Sequence, residues 1–286
     1  MRTSILIMAI LSILFCSCDK PLSPMEATDN EAIYNVVLID YYRVGDLEII
    51  PSDIPDTTEY IENPDPVNPI YWHKIEQTEE DLDIIISDQP VETEVGSFYQ
   101  AEVTYTKTWS GNFNIIRYNN NADSLERFSK EFVLTGIREA VCLKMGLTNH
   151  RRGWCLTSIG DAEFTSLTPE PRFLDYLYYF SGSSSDSVFD FGSRSLNDLI
   201  VFNTGEEVTI RFDLISDLDE LIMHVPVDNY NYQSAEFQPE PSGGYKTIFN
   251  MPSVSLYGQL KFLVINAGDV SEDYLARGFS YNYKTQ

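Results

Sequence analysis

The chain has 286 residues, with 44 Asp and Glu against 19 Lys and Arg and a formal net charge of −25 at pH 7. Such a surface repels nucleic acid and anionic lipid headgroups, which excludes nucleic-acid binding and membrane attachment through the protein surface itself. At 43 % apolar and 13 % aromatic residues the chain is not generally disordered, and its length suffices for two modest domains.

A single basic residue, Arg2, precedes an apolar run from Ile5 to Phe15. The run is too short to span a bilayer, which takes about 20 apolar residues, and has the proportions of a signal-peptide core. It ends in Phe15-Cys16-Ser17-Cys18, after which Asp19 and Lys20 turn the chain polar. This junction resembles the lipobox of bacterial lipoproteins, with Ser17 as the small residue and Cys18 as the acceptor. Bulky Phe15 makes Cys16 the poorer acceptor and is itself a less usual residue three positions before the cysteine. The resemblance implies removal of residues 1–17 as a signal peptide, lipid on Cys18, and a body held on a membrane of the cell envelope, outside the cytoplasm. Two or three acyl chains anchor stably where one is marginal. Residues 18–27 form the lipidated tether; with Pro21 and Pro24 in it, it reaches only about 30 Å when fully extended.

Thr28-Asp29-Asn30-Glu31 has the form of a capping box, and Ile33, Val36, Val37, Tyr41 and Val44 recur at helical spacing up to Gly45, a favoured stop residue. The pattern predicts one helix. Pro51, Pro55, Pro64, Pro66 and Pro69 then forbid a helix or central strand over 46–70 and predict a long loop. From Leu82 the texture is β. Strands are predicted over 82–87, 98–109 and 113–118, with a turn at Gly111-Asn112, and after a turn at Asn119-Asn120-Asn121 over 128–134, 137–145 and 154–159.

A hairpin centred between Thr148 and Asn149 pairs Leu143 with Trp154 and Val141 with Leu156, which sets Cys142 opposite Cys155. A structural disulfide and two reduced thiols both fit, since loop length shifts the register. No CxxC spacing marks a redox site.

Thr165–Pro171, rich in Thr and Pro, is the expected domain boundary, separating an α+β domain over 28–166 (one helix on a curved antiparallel sheet) from an all-β sandwich over 172–286. In the latter, strands are predicted over 199–202, 207–214, 221–225, 245–250, 259–265 and 279–284. Val208, Ile210, Phe212 and Leu214 alternate with Glu207, Thr209, Arg211 and Asp213, as in a half-buried antiparallel strand. The element order over 28–165 resembles the cone-shaped fold of SnoaL-like, nuclear-transport-factor-like and cystatin-like proteins. That likeness implies a pocket between helix and sheet, in which family enzymes place an Asp or His base, although no position here matches one. The segment beyond Pro171 resembles an immunoglobulin-like sandwich, without the paired cysteines and core tryptophan of antibody domains.

Chemistry is sparse. His73, His150 and His224 are far apart and never at metal-ligand spacing. His73, beside Tyr71 and Trp72, is the candidate base at a pocket mouth, against the plainer reading of a packed histidine. His150-Arg151-Arg152 is a basic knot at the hairpin tip, either an anion or partner contact or a solvated turn. Asp213, Asp217, Asp219 and Glu220 are the candidate calcium ligands, without EF-hand spacing. Phe173, Tyr176, Tyr178, Tyr179 and Phe180 are a candidate glycan or protein contact, against ordinary sandwich packing. GxSxG, P-loop and GxGxxG motifs are missing. The expectation is therefore an envelope lipoprotein with a non-enzymatic binding or structural role and a protein or glycan partner, with no catalytic residue, cofactor or metal assigned. The alternatives are a small-molecule-binding or enzymatic pocket in the first domain, and a calcium-stabilised adhesion module.

Overall fold

The computed structural model describes residues 28–50, 61–62, 70–146, 150–167, 177–181, 187–188, 193–212, 219–226, 232–234, 238–239, 244–251, 257–266 and 273–286. The expected lipidation site Cys18, the aromatics Phe173 and Tyr176, and the acids Asp213 and Asp217 lie outside these residues.

The leader starts as the capping box predicts, with the Thr28 hydroxyl accepting a hydrogen bond from the Glu31 amide at 3.1 Å. Helix α1 covers Asp29–Asn35, a π-helical turn covers Val36–Asp40, and a short α2 covers Tyr42–Gly45. The expected single helix is thus interrupted. The Tyr41 amide bonds the Val36 carbonyl at 3.1 Å, five residues back, and this widened turn keeps Ala32, Ile33, Val36, Val37 and Val44 all buried on the sheet side. A side chain at Gly45 would meet the Val37 carbonyl oxygen at 2.2 Å, so the stop residue is also required by packing.

Among the described residues eighteen strands follow: β1 Ile70–Ile86, β2 Val91–Thr93, β3 Gly96–Phe98, β4 Gln100–Asn119, β5 Ser124–Lys144, β6 Trp154–Gly160, β7 Ala162–Ser166, β8 Leu177–Ser181, β9 Ser187–Val188, β10 Ser193–Ser195, β11 Ile200–Phe202, β12 Glu207–Phe212, β13 Asp219–Pro226, β14 Tyr232–Ser234, β15 Gln238–Pro239, β16 Tyr245–Asn250, β17 Tyr257–Asn266 and β18 Ala276–Thr285. The protein is mostly β, with one short α-helical leader and one large sheet. That sheet runs β1-β4-β5-β7-β18-β17-β13-β14, with β6 beside the upper half of β5, β10 beside β6, and β11 parallel to the end of β18. A second sheet runs β15-β16-β12-β8-β9, and β2-β3 is a separate hairpin.

Two expectations need correcting. Gly111-Asn112 is not a turn: β4 passes straight through it. Gly111 has φ +157° and lies opposite a bulge between Ile75 and Gln77, so close to β1 that an added Cβ would meet the Lys74 carbonyl oxygen at 2.1 Å. β1 begins at Ile70 and not at Leu82, because pairing with β4 outweighs the poor strand propensity of its run of acids. The expected domain boundary does not interrupt the hydrogen bonding. β18 pairs with β7 on one side and β17 on the other, so strands from both sides of 167–171 share one sheet.

The leader covers one face of this sheet. One buried cluster joins Ala32, Ile33, Val36 and Val37 to Val103, Cys142, Trp154 and Leu156. A second joins Leu47, Ile49 and Ile50 to Trp109, Phe113, Phe164 and, from the C-terminal strands, Leu263 and Ala276. Burying eight leader side chains of this kind contributes roughly 1.5–3 kcal/mol for each large one, so the leader is core and not an appendage.

Candidate functional site

His73 enters the core because the bulge after Ile75 reverses the side-chain alternation of β1: His73 points inward before it, Leu82 and Ile84 after it. Its ring lies 4.8 Å from Phe113, 4.9 Å from Phe132 and 5.7 Å from Tyr274, and its Nε2 is 2.9 Å from the Tyr274 hydroxyl. Tyr71 stacks on Phe113 at 6.0 Å, while Trp72, of opposite parity, is half-buried. Burial pulls the His73 pKa down to about 3 and pushes the Tyr274 hydroxyl upward. At neutral pH the imidazole is uncharged and only 4 % exposed. Of the two readings of His73, the base at a pocket mouth and the packed histidine, the geometry has the ring buried in an aromatic box with Phe113, Phe132 and Tyr274.

The basic knot is spent on the leader. Arg151 grips Asp40 with two bonds, at 2.8 and 2.9 Å, and His150 lies 3.4 Å from the same carboxylate. Lys144 and Arg152 converge on Asp29 at 2.9 and 2.5 Å. Burial raises the Asp29 pKa, but the bonds from Lys144 and Arg152 outweigh it and hold the carboxyl below its usual value. Arg151 and Arg152 both have positive φ, 49° and 51°, an arrangement costing about 1–2 kcal/mol per residue that these ion pairs and the Gly146–Gly153 closure offset.

A third group was missed in the sequence. Arg138, Gln259, Lys261 and Ser280 are polar residues at inward-facing positions beneath residues 44–48, all at most 4 % exposed. Arg138 donates to the Val44 carbonyl, to the Asp46 carbonyl at 2.9 Å and to the Ser280 hydroxyl at 3.0 Å. Ser280 in turn donates to Gln259 Oε1 at 2.8 Å, and Gln259 Nε2 to the Asp46 carbonyl at 3.1 Å. Lys261 reaches the Asp46 carboxylate at 3.3 Å and the Glu48 carbonyl. Burial lowers the Lys261 pKa against the pull of Asp46. At the rim Lys107 bridges Glu48 and Glu80, each at 2.9 Å, and these partners raise its pKa despite burial. The signal was present: an Arg and a Lys at inward parity in alternating strands.

Cys142 and Cys155 are not bridged. A bulge after Val141 shifts the register by one, so Cys142 faces Leu156 and Cys155 faces Leu143, on opposite sides of the sheet. Cys142 is buried and its thiol is pushed up to about 12 by desolvation. Asp219 and Glu220 start β13, and among the described residues no group of three or more His, Cys, Asp or Glu gathers as a metal site. Tyr178, Tyr179 and Phe180 lie in β8, paired with β12.

Comparison with protein-family models, with curated proteins and with solved structures finds no match.

Proposed function

We propose that the chain is an envelope lipoprotein, processed before Cys18, whose body serves a binding or structural role and not a catalytic one. The apolar run Ile5–Phe15 followed by Ser17-Cys18 carries this reading. Two features of the body support it. The leader, which begins ten residues after Cys18, is fastened to the sheet by buried apolar side chains and by Lys144, Arg151, Arg152, Arg138 and Lys261, which suits a body held close to its anchor. The histidine that offered general-base chemistry is sealed and uncharged.

The test is metabolic labelling with an alkyne-bearing fatty acid in a bacterial host that processes lipoproteins. The full chain is expected to take up label and partition into the detergent phase, Cys16→Ala to behave the same, and Cys18→Ala to lose both properties. Label retained in Cys18→Ala, or never acquired by the unaltered chain, refutes the anchor.

A further inference from the structure

The sheet separates charge across its two faces. On β4 and β5 the cations Lys107, Lys130, Arg138 and Lys144 alternate toward the leader, with the buried set Val103, Tyr105, Ala140 and Cys142. The opposite face of β1-β4-β5 holds anions over residues 79–85, 102–108 and 135–139, with Lys74 and Arg127 at its other end. Registers Asp83–Thr104–Glu139, Asp81–Thr106–Ile137 and Glu79–Thr108–Thr135 form three consecutive cross-strand rows, and Ile85–Glu102 forms the next. Glu79, Asp81, Asp83, Glu102 and Glu139 are exposed, and among the described residues none has a Lys or Arg partner. Two of them accept from neutral amides: Gln77 donates to Glu79 at 2.6 Å and Gln100 to Glu102 at 3.2 Å. By contrast the leader-side carboxylates Asp29, Asp40, Asp46 and Glu48 all have cations.

A second observation separates this face from a merely solvated one. Two isoleucines stand exposed among the carboxylates, Ile85 at 61 % and Ile137 at 45 %. Between them lies a floor of threonines, two of which pair hydroxyl to hydroxyl, Thr108 with Thr135 at 3.1 Å. Short hydroxylated side chains keep the floor flat and offer donors and acceptors. The rim is closed by Glu163, which does have its cation, Arg277 at 3.1 Å.

We infer that this face is the docking surface for a basic polypeptide segment whose apolar side chains cover Ile85 and Ile137 while its Lys and Arg side chains meet the carboxylate rows. Charge decides the occupant. A second copy would set the same unpaired acids against each other and is repelled, as are nucleic acid and anionic membranes. The inference rests on the binding role proposed above and is independent of the lipid anchor.

The test uses the full chain in detergent and, separately, its Cys18→Ala form, with fluorescein-labelled peptides read by anisotropy at low salt. The probes are a decapeptide alternating Lys and Ile, the same with Glu for Lys, and one with Ser for Ile. The Lys/Ile peptide is expected to bind both forms of the protein, to lose affinity at least about tenfold on D81N/D83N/E139Q, and several-fold on Ile137→Thr. An equal number of changes elsewhere, D88N/E92Q/E94Q, is expected to leave binding unchanged. No binding, equal weakening by both triple variants, or equal binding of the Ser peptide overturns the docking surface. Binding by the Cys18→Ala form separates its fate from that of the anchor.

Discussion

His73 converts burial into an acid-sensitive term. Its folded pKa of about 3 lies below its unfolded value near 6.5, so between these the unfolded chain binds the extra proton and stability falls as pH falls. The loss starts below pH 6.5 and reaches about 2 kcal/mol at pH 5. His73→Phe is expected to flatten that part of the pH–stability curve in urea titrations; an unchanged acid limb would show that the ring is not held neutral. Gly111→Val is expected to cost at least about 2 kcal/mol, more than an ordinary surface change, because both its φ and its approach to Lys74 exclude a side chain. At this scale the sequence was legible where a residue acts on its neighbours, as in the Thr28 cap and the Asn119 turn, where the Asn119 side chain accepts from the Asn121 amide at 2.9 Å. It was illegible where distant strands decide. A bulge at Val141 separated the cysteines, and one at Ile75 buried His73, and neither leaves a mark in local composition.

The leader is the element whose attachment is most unevenly distributed. The Arg152–Asp29 pair is partly exposed, and its removal by Arg152→Ala is expected to cost under about 1 kcal/mol and to be masked by salt. Arg138→Met is expected to cost about 2–4 kcal/mol with little salt dependence, because it strands the Val44 carbonyl in the core and removes the donor to the Ser280 hydroxyl, which keeps its bond to Gln259. Equal effects of the two variants in denaturant titrations would mean that the buried lattice does not hold the leader. The strands predicted beyond residue 199 lie close to the observed β11, β12, β13, β16, β17 and β18, although β17 and β18 are buried on both faces. The prediction failed for β1 and β4, whose continuity depends on the partner strand and on one glycine.

At the scale of the whole molecule, β18 joins what the sequence presented as two domains. Its inward residues Ala276, Gly278 and Ser280 pack in the first half, and the Arg138–Ser280–Gln259 chain crosses the same seam. Unfolding is expected to be a single transition, with tryptophan fluorescence, which reports only Trp72, Trp109 and Trp154 of the first half, coinciding with far-ultraviolet dichroism, which reports all strands. Two separated transitions would support the two-domain reading. The boundary expected at Thr165–Pro171 rests on Thr and Pro content, which cannot reveal that a strand more than a hundred residues later returns to pair with β7.

That return sets an order of assembly. β18 fills the middle of the large sheet yet is its latest strand along the chain, so while synthesis proceeds the edges of β7 and β17 stay open. Closing a sheet around so late a strand demands long loop closures and is slow. A chain broken short of Ala276 would present two unpaired strand edges, those of β7 and β17, to the proteases that clear incomplete products.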